Sequence, residues 1–280
     1  DSTPVHSCFI DIKSLFQTEE ALIRSGETER HNLFTISYRI RKSTNNRKAK
    51  AHTAACHGRG GNMYKDLLSG LNGKGGCDVI VIDGVVGVGK TTLANILVKE
   101  RGLVLFEEPV TTNPILDKFY ADRKRYAFPL QVFFLNERFK HIQRAARMKN
   151  AVLDRSIYGD CIFAKMLYEG GEMTGEEFAI YQELFKNMIQ FCEPPKLMIY
   201  LEVSPEEAVK RIIKRGRDYE LDTEMDYWVR LNREYRNYFE EYNASPVLKI
   251  NVEHLDFEND PEHQKYVLEL IDRNLYDVVV

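Results

Sequence analysis

A glycine-rich stretch at residues 84–91 limits most strongly what this chain can fold into. It reads Gly-Val-Val-Gly-Val-Gly-Lys-Thr and matches the pattern G-x-x-x-x-G-K-[ST], between an apolar run and a helical pattern. In that setting the backbone amides of the loop surround phosphate groups, and the positive end of the following helix strengthens the attraction. We therefore predict a nucleoside triphosphate site made by Gly84, Val85, Val86, Gly87, Val88, Gly89, Lys90, Thr91 and Thr92.

Two side chains at the end of this loop have predicted roles of their own. Lys90 is expected to neutralise the β- and γ-phosphates, which makes it a candidate catalytic residue, and Thr91 is expected to ligate Mg²⁺. The glycines do not follow the order G-x-G-x-x-G of dinucleotide-binding folds, so ATP or GTP is the expected ligand. The loop alone does not identify the group that receives the phosphate.

Short apolar runs alternate with longer helical patterns from Cys77 onward, which predicts a parallel sheet with crossover helices. The fold class that this pattern favours is three-layer α/β, with a parallel five-stranded sheet flanked by helices. The expected strands are 79–83, 103–106, 151–153, 197–203 and 247–251. The expected helices are 90–100, 114–120, 127–147, 157–168, 175–191, 205–215, 226–242 and 261–274.

Residues 1–76 differ in composition from the rest of the chain. They hold 12 Lys and Arg against 7 Asp and Glu, and they lack sustained periodicity. We predict that 1–76 is a flexible, disordered extension and that 77–280 is the P-loop domain. Met63 is a possible alternative start. The acid-poor, Arg-containing stretch 39–61 also leaves open a mitochondrial transit segment, although acidic residues precede it.

Charge and composition exclude several function classes for residues 77–280. This part holds 27 Lys and Arg against 35 Asp and Glu, so it lacks the basic face that broad nucleic-acid binding requires. No apolar run reaches the roughly 18 residues that span a membrane. The five cysteines form no C-x-x-C pair, which favours reduced thiols. We therefore expect a cytoplasmic protein without nucleic-acid or membrane partners.

Charged residues follow two of the predicted strands. Glu108 comes shortly after the second strand, and Asp154 and Arg155 follow the third. Because the carboxyl ends of parallel strands meet at one edge, these side chains are expected near the phosphate loop. Glu108 could accept the proton of an attacking hydroxyl, Asp154 could bind the water shell of Mg²⁺, and Arg155 could contact phosphate. The alternatives are a solvated carboxylate and an ordinary Asp-Arg salt bridge.

Two further groups of residues point to ligand contacts. Arg211, Arg215 and Arg217 surround Gly216 at a predicted helix end, where they would form either a solvated basic patch or a lid over transferring phosphate. Gln131 and Arg138 lie seven residues apart on a predicted helix and so share one face. A Gln amide both donates and accepts, which suits pairing with the edge of a nucleobase.

Over roughly residues 78–260 the chain resembles the deoxynucleoside kinase family, and most closely its deoxyadenosine/deoxyguanosine kinase branch. The resemblance rests on the P-loop and on the order and spacing of five further motifs. These are Glu108-Pro109-Val110, Tyr126-Ala127-Phe128-Pro129-Leu130-Gln131, Asp154-Arg155-Ser156, Arg211 with Arg215-Gly216-Arg217 and Glu220, and Leu255-Asp256-Phe257. The first position of the third motif is often Glu in the family, so Asp154 is a shortened carboxylate at this point.

The resemblance implies a P-loop kinase fold and a role for each motif. It implies that Glu108 is the catalytic base, with Arg155 and Lys90 as the other catalytic residues. It places ATP against the P-loop, Arg211, Arg215, Arg217, Asp256 and Phe257, with Mg²⁺ at Thr91 and Asp154. It places the deoxynucleoside against Glu108, Tyr120, Gln131, Arg138, Arg155, Asp160 and Glu220, where Tyr120 and Glu220 would hold the 3′-hydroxyl. A homodimer is expected because the family pairs through long helices.

The expected activity is ATP-dependent phosphorylation of the 5′-hydroxyl of deoxynucleosides in nucleotide salvage. Thymidine kinases of the family lack the charged pair Arg138 and Asp160, which places thymidine last but does not separate purines from cytosine. The resemblance of residues 126–138 and 154–160 to the bacterial purine branch favours purine deoxynucleosides, and deoxycytidine is possible. The alternatives are a nucleoside monophosphate kinase and a catalytically silent relative that serves as a subunit of a complex. A GTPase switch is less favoured, because no N-K-x-D motif is present.

Overall fold

The computed structural model describes residues 77–110, 113–217 and 223–276. Its strands are β1 Cys77–Gly84, β2 Val104–Phe106, β3 Ala151–Asp154, β4 Pro195–Glu202 and β5 Val247–Asn251. Its helices are α1 Lys90–Arg101, α2 Leu116–Ala121, α3 Arg123–Ala145, α4 Ile157–Glu169, α5 Gly175–Ile189, α6 Pro205–Arg215, α7 Met225–Glu241 and α8 Pro261–Tyr276. The predicted extension 1–76 lies outside the described residues and stays a prediction.

The five strands form one parallel sheet in the order β2-β3-β1-β4-β5. In β1, Ile82 lies opposite Asp154 of β3 and opposite Ile199 of β4. From β1 the chain crosses to the edge strand β2, returns to β3 between them, and then passes over β1 to β4 and β5 at the other edge. Right-handed crossovers in the two directions place helices on both faces. The predicted α/β fold with a five-stranded parallel sheet flanked by helices is confirmed.

The central strand β1 is buried along its length because strands lie on both sides of it. Val79, Ile80, Val81 and Ile82 are all buried, so the run lacks the alternation of a half-exposed strand. Helix α1 packs against β1 and β3 and buries Leu93 and Leu97. The loop between β1 and α1, which is the predicted P-loop, is thus held by the core at both of its ends.

The carboxyl ends of β1, β2 and β3 lie at the same edge of the sheet. Gly84, Phe106 and Asp154 end these three strands, and Glu108 follows two residues after β2. The connection that leaves β1 runs toward the β2 edge, whereas the connections that leave its neighbours β3 and β4 run toward the β5 edge. Open parallel sheets bind their ligands in the crevice at such a point, outside the carboxyl ends of the strands.

The long helix α3 begins at Arg123, four residues before the predicted start at residue 127. The Asp122 side chain caps it by accepting a hydrogen bond from the Arg125 amide (3.2 Å). Pro129 therefore lies inside the helix, where its missing N–H leaves the Arg125 carbonyl without the usual partner. The prediction placed Pro129 in the first turn, where proline is best tolerated, and was wrong on this boundary.

Helix α6 has the predicted bounds 205–215, and local signals explain both of its ends. The Ser204 hydroxyl caps it by accepting from the Glu207 amide (3.2 Å), and Pro205 occupies the first position. Gly216 ends it with a φ of 71°, a left-handed conformation that glycine adopts without strain. This turn leaves Arg215 and Arg217 exposed on either side of Gly216.

Candidate active site

A cavity of about 910 Å³ opens at the carboxyl edge of the sheet. Its wall is formed by the P-loop, the segment after β2, helices α2, α3, α4, α6 and α7, and the segment after β5. The predicted site residues that line it are Val86, Gly87, Gly89, Lys90, Thr91, Thr92, Glu108, Tyr120, Gln131, Arg138, Asp154, Arg155, Asp160, Arg211, Arg215, Arg217, Asp256 and Phe257.

Three of the predicted site residues that the structure describes are not part of that wall. Gly84 ends β1 below the cavity, and the side chains of Val85 and Val88 are buried in the core beneath the loop. Glu220 lies outside the described residues. The valines thus anchor the loop, while Val86, Gly87 and Gly89 face the cavity.

The P-loop backbone takes a shape that depends on its glycines. Gly87 and Gly89 have φ values of 81° and 103°, in the left-handed region that side chains disfavour. A Cβ atom on Gly89 would lie 2.9 Å from the ring of Phe257, which packs against the loop from the segment after β5. The glycine at position 89 therefore allows the close approach of Phe257 as well as the turn itself.

Lys90 is buried and folds back onto its own loop. Its Nζ atom donates to the carbonyls of Gly84 (2.9 Å) and Val85 (2.8 Å). Burial and the nearby charge of Arg155 lower the pKa of Lys90 to about 7, although Asp154, Glu108 and Asp83 oppose this change. An anion in the loop would favour the charged form of this lysine.

Thr91 and Asp154 bring oxygen atoms together beside the loop. The Thr91 hydroxyl donates to Asp154 Oδ2 (2.6 Å), while Asp154 Oδ1 is buried and has no hydrogen-bond partner. The described residues contain no group of three or more His, Cys, Asp or Glu side chains that could enclose a metal ion. Two oxygen side chains fit Mg²⁺, which is usually held by one or two carboxylates together with water and substrate phosphates.

Glu108 lies between two arginines. Its Oε1 atom is 2.8 Å from Arg138 Nη2 and 2.7 Å from Arg155 Nε, and the side chain is 24% exposed. The contact with Arg155 Nε is an ion pair, because that nitrogen makes no aligned hydrogen bond. Burial alone would raise the pKa of Glu108, but the charges of Arg155, Arg138 and Lys90 hold the pKa at about 2. Glu108 is therefore ionised at neutral pH.

Arg138 connects Glu108 to Asp160 deeper in the cavity. Arg138 Nε donates to Asp160 Oδ1 (2.7 Å), and both side chains are buried. Asp160 Oδ2 is buried without a partner, and the Gln131 side chain lines the same wall. Burial raises the pKa of Asp160 to about 6 and outweighs the attraction of Arg138. The unsatisfied Oδ2 atom is thus an acceptor whose burial costs free energy until a donor reaches it.

The three predicted lid arginines line the cavity from α6 and its end. Arg211 donates to the carbonyls of Val88 (3.3 Å) and Val252 (2.8 Å) and pairs with Glu207 (3.0 Å). It therefore joins α6 to the P-loop and to the segment after β5. Lys210 and Lys214 of the same helix also line the cavity, and the sequence prediction did not include them.

The structure adds other residues that the sequence analysis missed. Asp83, at the end of β1, accepts hydrogen bonds from the Gly84 amide (2.7 Å), the Ser156 amide (3.1 Å) and the Ser156 hydroxyl. It thereby joins the start of the P-loop to the turn that carries Arg155. An acid that ends an apolar strand could have indicated this role. Arg123 and Tyr227 line the cavity, and nothing in the sequence pattern distinguishes them from surface residues.

Arg155 occupies a strained position in this turn. Its φ of 80° lies in the left-handed region, which non-glycine residues rarely adopt. Its amide donates to the Ile82 carbonyl (2.8 Å), and its guanidinium lies 5.0 Å from the ring centroid of Phe163. Such strain is found where the surrounding structure holds a residue firmly, often at functional sites.

Comparisons with known proteins agree with this geometry. Residues 80–276 match the family model described as deoxynucleoside kinase. The deoxyadenosine kinase of Lactobacillus acidophilus is 41% identical over 209 residues, which cover 71% of this chain and 97% of that protein. The deoxyguanosine kinase of the same organism is 42% identical over 209 residues, and the match covers 92% of that protein. A deoxyadenosine/deoxycytidine kinase of Bacillus subtilis is 39% identical over 203 residues and is covered to 94%.

Solved structures show the same similarity. The deoxyadenosine kinase from M. mycoides with bound dATP superposes with a TM-score of 0.62 at 29% identity, over 69% of this chain and 99% of that one. The structure of that kinase with dCMP and a flexible dCDP gives the same TM-score at 30% identity, with 98% of that chain covered. The family match, the relatives and the shared fold agree, and the resemblance predicted from the motifs is confirmed: this chain belongs to the deoxynucleoside kinase family.

Proposed function

We propose that this protein transfers the γ-phosphoryl group of ATP to the 5′-hydroxyl of a purine deoxynucleoside. The observation that carries the proposal is the position of Glu108. It lies within one cavity with the P-loop lysine, and Arg138 joins it directly to the Asp160 carboxylate. A nucleoside with its base against Gln131 and Asp160 would present its 5′-hydroxyl to Glu108, next to the γ-phosphate of ATP in the P-loop.

In this reaction Glu108 accepts the proton of the 5′-hydroxyl while the 5′-oxygen forms a bond to the γ-phosphorus. The bond from that phosphorus to the β,γ-bridging oxygen breaks, and ADP leaves. A carboxylate whose pKa is about 2 is a weak base toward a free alcohol. Its first task is therefore to orient the hydroxyl by accepting its hydrogen bond, and the proton moves once the O–P bond has formed far enough to acidify the oxygen.

The chain also supplies positive charge that would stabilise the phosphoryl group during its transfer. Lys90 would leave the carbonyls of Gly84 and Val85 for the β- and γ-phosphates, and Arg155 would contact the γ-phosphoryl group beside Glu108. Arg211, Arg215 and Arg217 would cover the phosphates as a lid. Thr91 and Asp154 would hold Mg²⁺, which supplies charge stabilisation between the β- and γ-phosphates. Asp256 and Phe257 would contact the bound ATP.

The Arg138-Asp160 pair favours a base with an amino group over thymine, and the relatives favour purines over cytosine. A buried ion pair is costly unless its remaining polar atoms are satisfied, and Asp160 Oδ2 lacks a donor. The exocyclic amino group of adenine would supply one, with Gln131 on the neighbouring edge of the base. Thymine brings a methyl group instead, which needs apolar space. The names of the relatives, deoxyadenosine and deoxyguanosine kinases, support the same order, and cytosine is the next choice.

Contacts to the sugar complete the proposal. Tyr120 is half-exposed and lines the cavity from α2, where its hydroxyl would meet the 3′-hydroxyl of the nucleoside. Glu220, the proposed second contact, lies outside the described residues. The comparisons give no support to a monophosphate kinase or to a silent subunit.

We also retain the expected homodimer and the cytoplasmic location as proposals. Ile180 on α5 and Phe191 shortly after it are 50% and 71% exposed, and an interface that covered them would remove this apolar surface from water. No helix among the described residues is long and apolar enough to cross a membrane. Sedimentation of the purified chain measures the assembly, and a monomer at all concentrations would contradict the homodimer.

The experiment that tests the activity supplies ATP labelled in its γ-phosphate, with Mg²⁺, to each of the four deoxynucleosides and to each of their 5′-monophosphates. We expect label in dAMP and dGMP, and none in the diphosphates. Label in diphosphates alone would instead identify a monophosphate kinase. ATP binding without transfer to any acceptor would indicate a silent relative.

A further inference from the structure

The Arg155 guanidinium is fixed from the side opposite to the cavity. Arg155 Nη1 donates a hydrogen bond to the Tyr235 hydroxyl over 2.7 Å, and both side chains are buried. Among the described residues, Tyr235 is the only acceptor that the Arg155 side chain meets in hydrogen-bond geometry, since its contact with Glu108 is an unaligned ion pair. Tyr235 itself does not line the cavity.

We propose that Tyr235 is a positioning residue for phosphoryl transfer, because its hydroxyl holds the Arg155 guanidinium in place when Glu108 releases it. This inference rests on the proposed function, in which Glu108 accepts the 5′-hydroxyl. The Oε1 atom of Glu108 now pairs with both arginines, so engaging a hydroxyl weakens its hold on Arg155. Tyr235 is then the remaining hydrogen-bond partner of the guanidinium among the described residues.

Tyr235 can do this because its own helix is tied to its neighbours by the residues just before it. The neighbouring residue Glu234 pairs with Lys165 of α4 at 2.5 Å. Asn232, one turn earlier, donates to the Val203 carbonyl after β4 at 2.7 Å. The Tyr235 ring also meets Phe163 edge-on at 6.2 Å, and Phe163 is the ring against which the Arg155 guanidinium lies. The phenol oxygen is thus held in place relative to α4 and the end of β4.

The need for such a point follows from the surroundings of Arg155. Three carboxylates contribute to its electrostatic environment, namely those of Glu108, Asp83 and Asp154. A guanidinium without a fixed partner could turn toward Asp154, which would place its charge beside the metal position instead of the acceptor side. Misplacement of a catalytic group by about 1 Å can cost on the order of 10² in rate.

The test compares Tyr235→Phe with Tyr242→Phe in the full-length protein. The first change keeps the buried ring and removes only the acceptor of Arg155. The second removes a hydrogen-bonded hydroxyl at the end of the same helix, where Tyr242 meets Ser245 at 2.8 Å. We expect Tyr235→Phe to lower kcat about 10- to 100-fold, the effect of losing a hydrogen bond to a charged group. Tyr242→Phe should leave kcat within about twofold.

Two further readouts separate positioning from a general loss of stability. The KM values for ATP and the deoxynucleoside should stay within about threefold in Tyr235→Phe, because binding contacts are kept. In an Arg155→Ala background, Tyr235→Phe should change the residual kcat less than about twofold, since the group that it positions is gone. Equal effects of Tyr235→Phe in the two backgrounds, or native kcat in the single variant, would overturn the inference.

The same experiment distinguishes a failure of the role given to Tyr235 from a failure of the proposed function. A wild-type protein that phosphorylates no deoxynucleoside contradicts the proposed function, and with it the role assigned to Arg155. An active wild type with an equally active Tyr235→Phe variant contradicts the role of Tyr235 alone. Thermal unfolding of each variant shows whether a lost kcat accompanies a folded protein.

Discussion

Replacing Glu108 by Gln tests the electrostatics of the site and its proposed base together. The change keeps the shape and an acceptor oxygen but removes the negative charge between Arg138 and Arg155. General-base assistance contributes about 10² to 10⁴ in rate, so we expect kcat to fall at least about 100-fold, equivalent to about 3 kcal/mol in the barrier. ATP should still bind, because its P-loop contacts remain. Glu107→Gln is the control: this neighbouring side chain is exposed and borders the same cavity, but the two arginines pair with Glu108, so the variant should stay close to wild type.

The lowered pKa of Glu108 also predicts that the free energy of unfolding depends on pH. The pKa is about 2 in the folded protein and 4.5 ordinarily. At about 1.4 kcal/mol per pKa unit, the folded state favours ionised Glu108 by about 3 kcal/mol. Because the folded pKa is the lower one, this stability is present above pH 4.5 and is lost as pH falls through about 2. Chemical denaturation should therefore show Glu108→Gln less stable than wild type by up to about this amount at pH 7, and by less near pH 3.

Activity at different pH values can refute this reasoning. Since Glu108 is ionised throughout the working range, log kcat of the wild type and of Glu108→Gln should run parallel between about pH 5 and pH 9. A wild-type limb near pH 4.5 to 6 that disappears in Glu108→Gln would mean that Glu108 titrates there, which contradicts its pairing with two arginines. Near-native kcat in Glu108→Gln would exclude Glu108 as the base.

The nucleobase pocket, the core and the segment before Met63 can each be tested by one change to the chain. The double change Arg138→Met with Asp160→Ala should raise kcat/KM for thymidine relative to deoxyadenosine by about 10-fold or more. Absolute rates should fall, because Arg138 also holds Glu108. An unchanged order of the deoxynucleosides in a competition assay would contradict the role of this pair in specificity. Gly159→Ala should lower the free energy of unfolding by about 1 to 3 kcal/mol, since the new Cβ would lie 2.8 Å from Asp83 Oδ2, whereas Gly175→Ala, whose Cβ meets nothing closer than 3.9 Å, should be neutral in the same denaturation assay. A chain that begins at Met63 should keep wild-type turnover; if it folds by circular dichroism and yet loses turnover, residues before Met63 contribute to the enzyme.

Local patterns in the sequence were sufficient for the sheet and for part of the site. The P-loop follows from glycine, lysine and threonine at fixed spacing, and the strands follow from apolar runs that are buried on both faces. Gln131 and Arg138 could be placed on one wall because helical spacing relates them directly, and both do line the cavity.

Contacts between residues distant in sequence could not be predicted in this way. Tyr235 meets Arg155 from 80 residues away, and Asp83 meets Ser156 from 73. Neither contact follows from a period or a motif, because the first depends on how α7 packs against α4 and the second on how the turn after β3 packs against the central strand. The early start of α3 was missed for a related reason, since Pro129 indicates a helix start more strongly than the Asp122 cap does.

Competition among the four deoxynucleosides tests the proposed kinase activity and its preference for purines in one assay. Deoxyadenosine, deoxyguanosine, deoxycytidine and thymidine are supplied together at equal concentrations with labelled ATP and Mg²⁺, and the initial rates of the four monophosphates are compared. These rates report relative kcat/KM values, and hence the differences in transition-state stabilisation. We expect dAMP and dGMP to form fastest, dCMP next and TMP slowest. Fastest formation of TMP would contradict the role given to the Arg138-Asp160 pair.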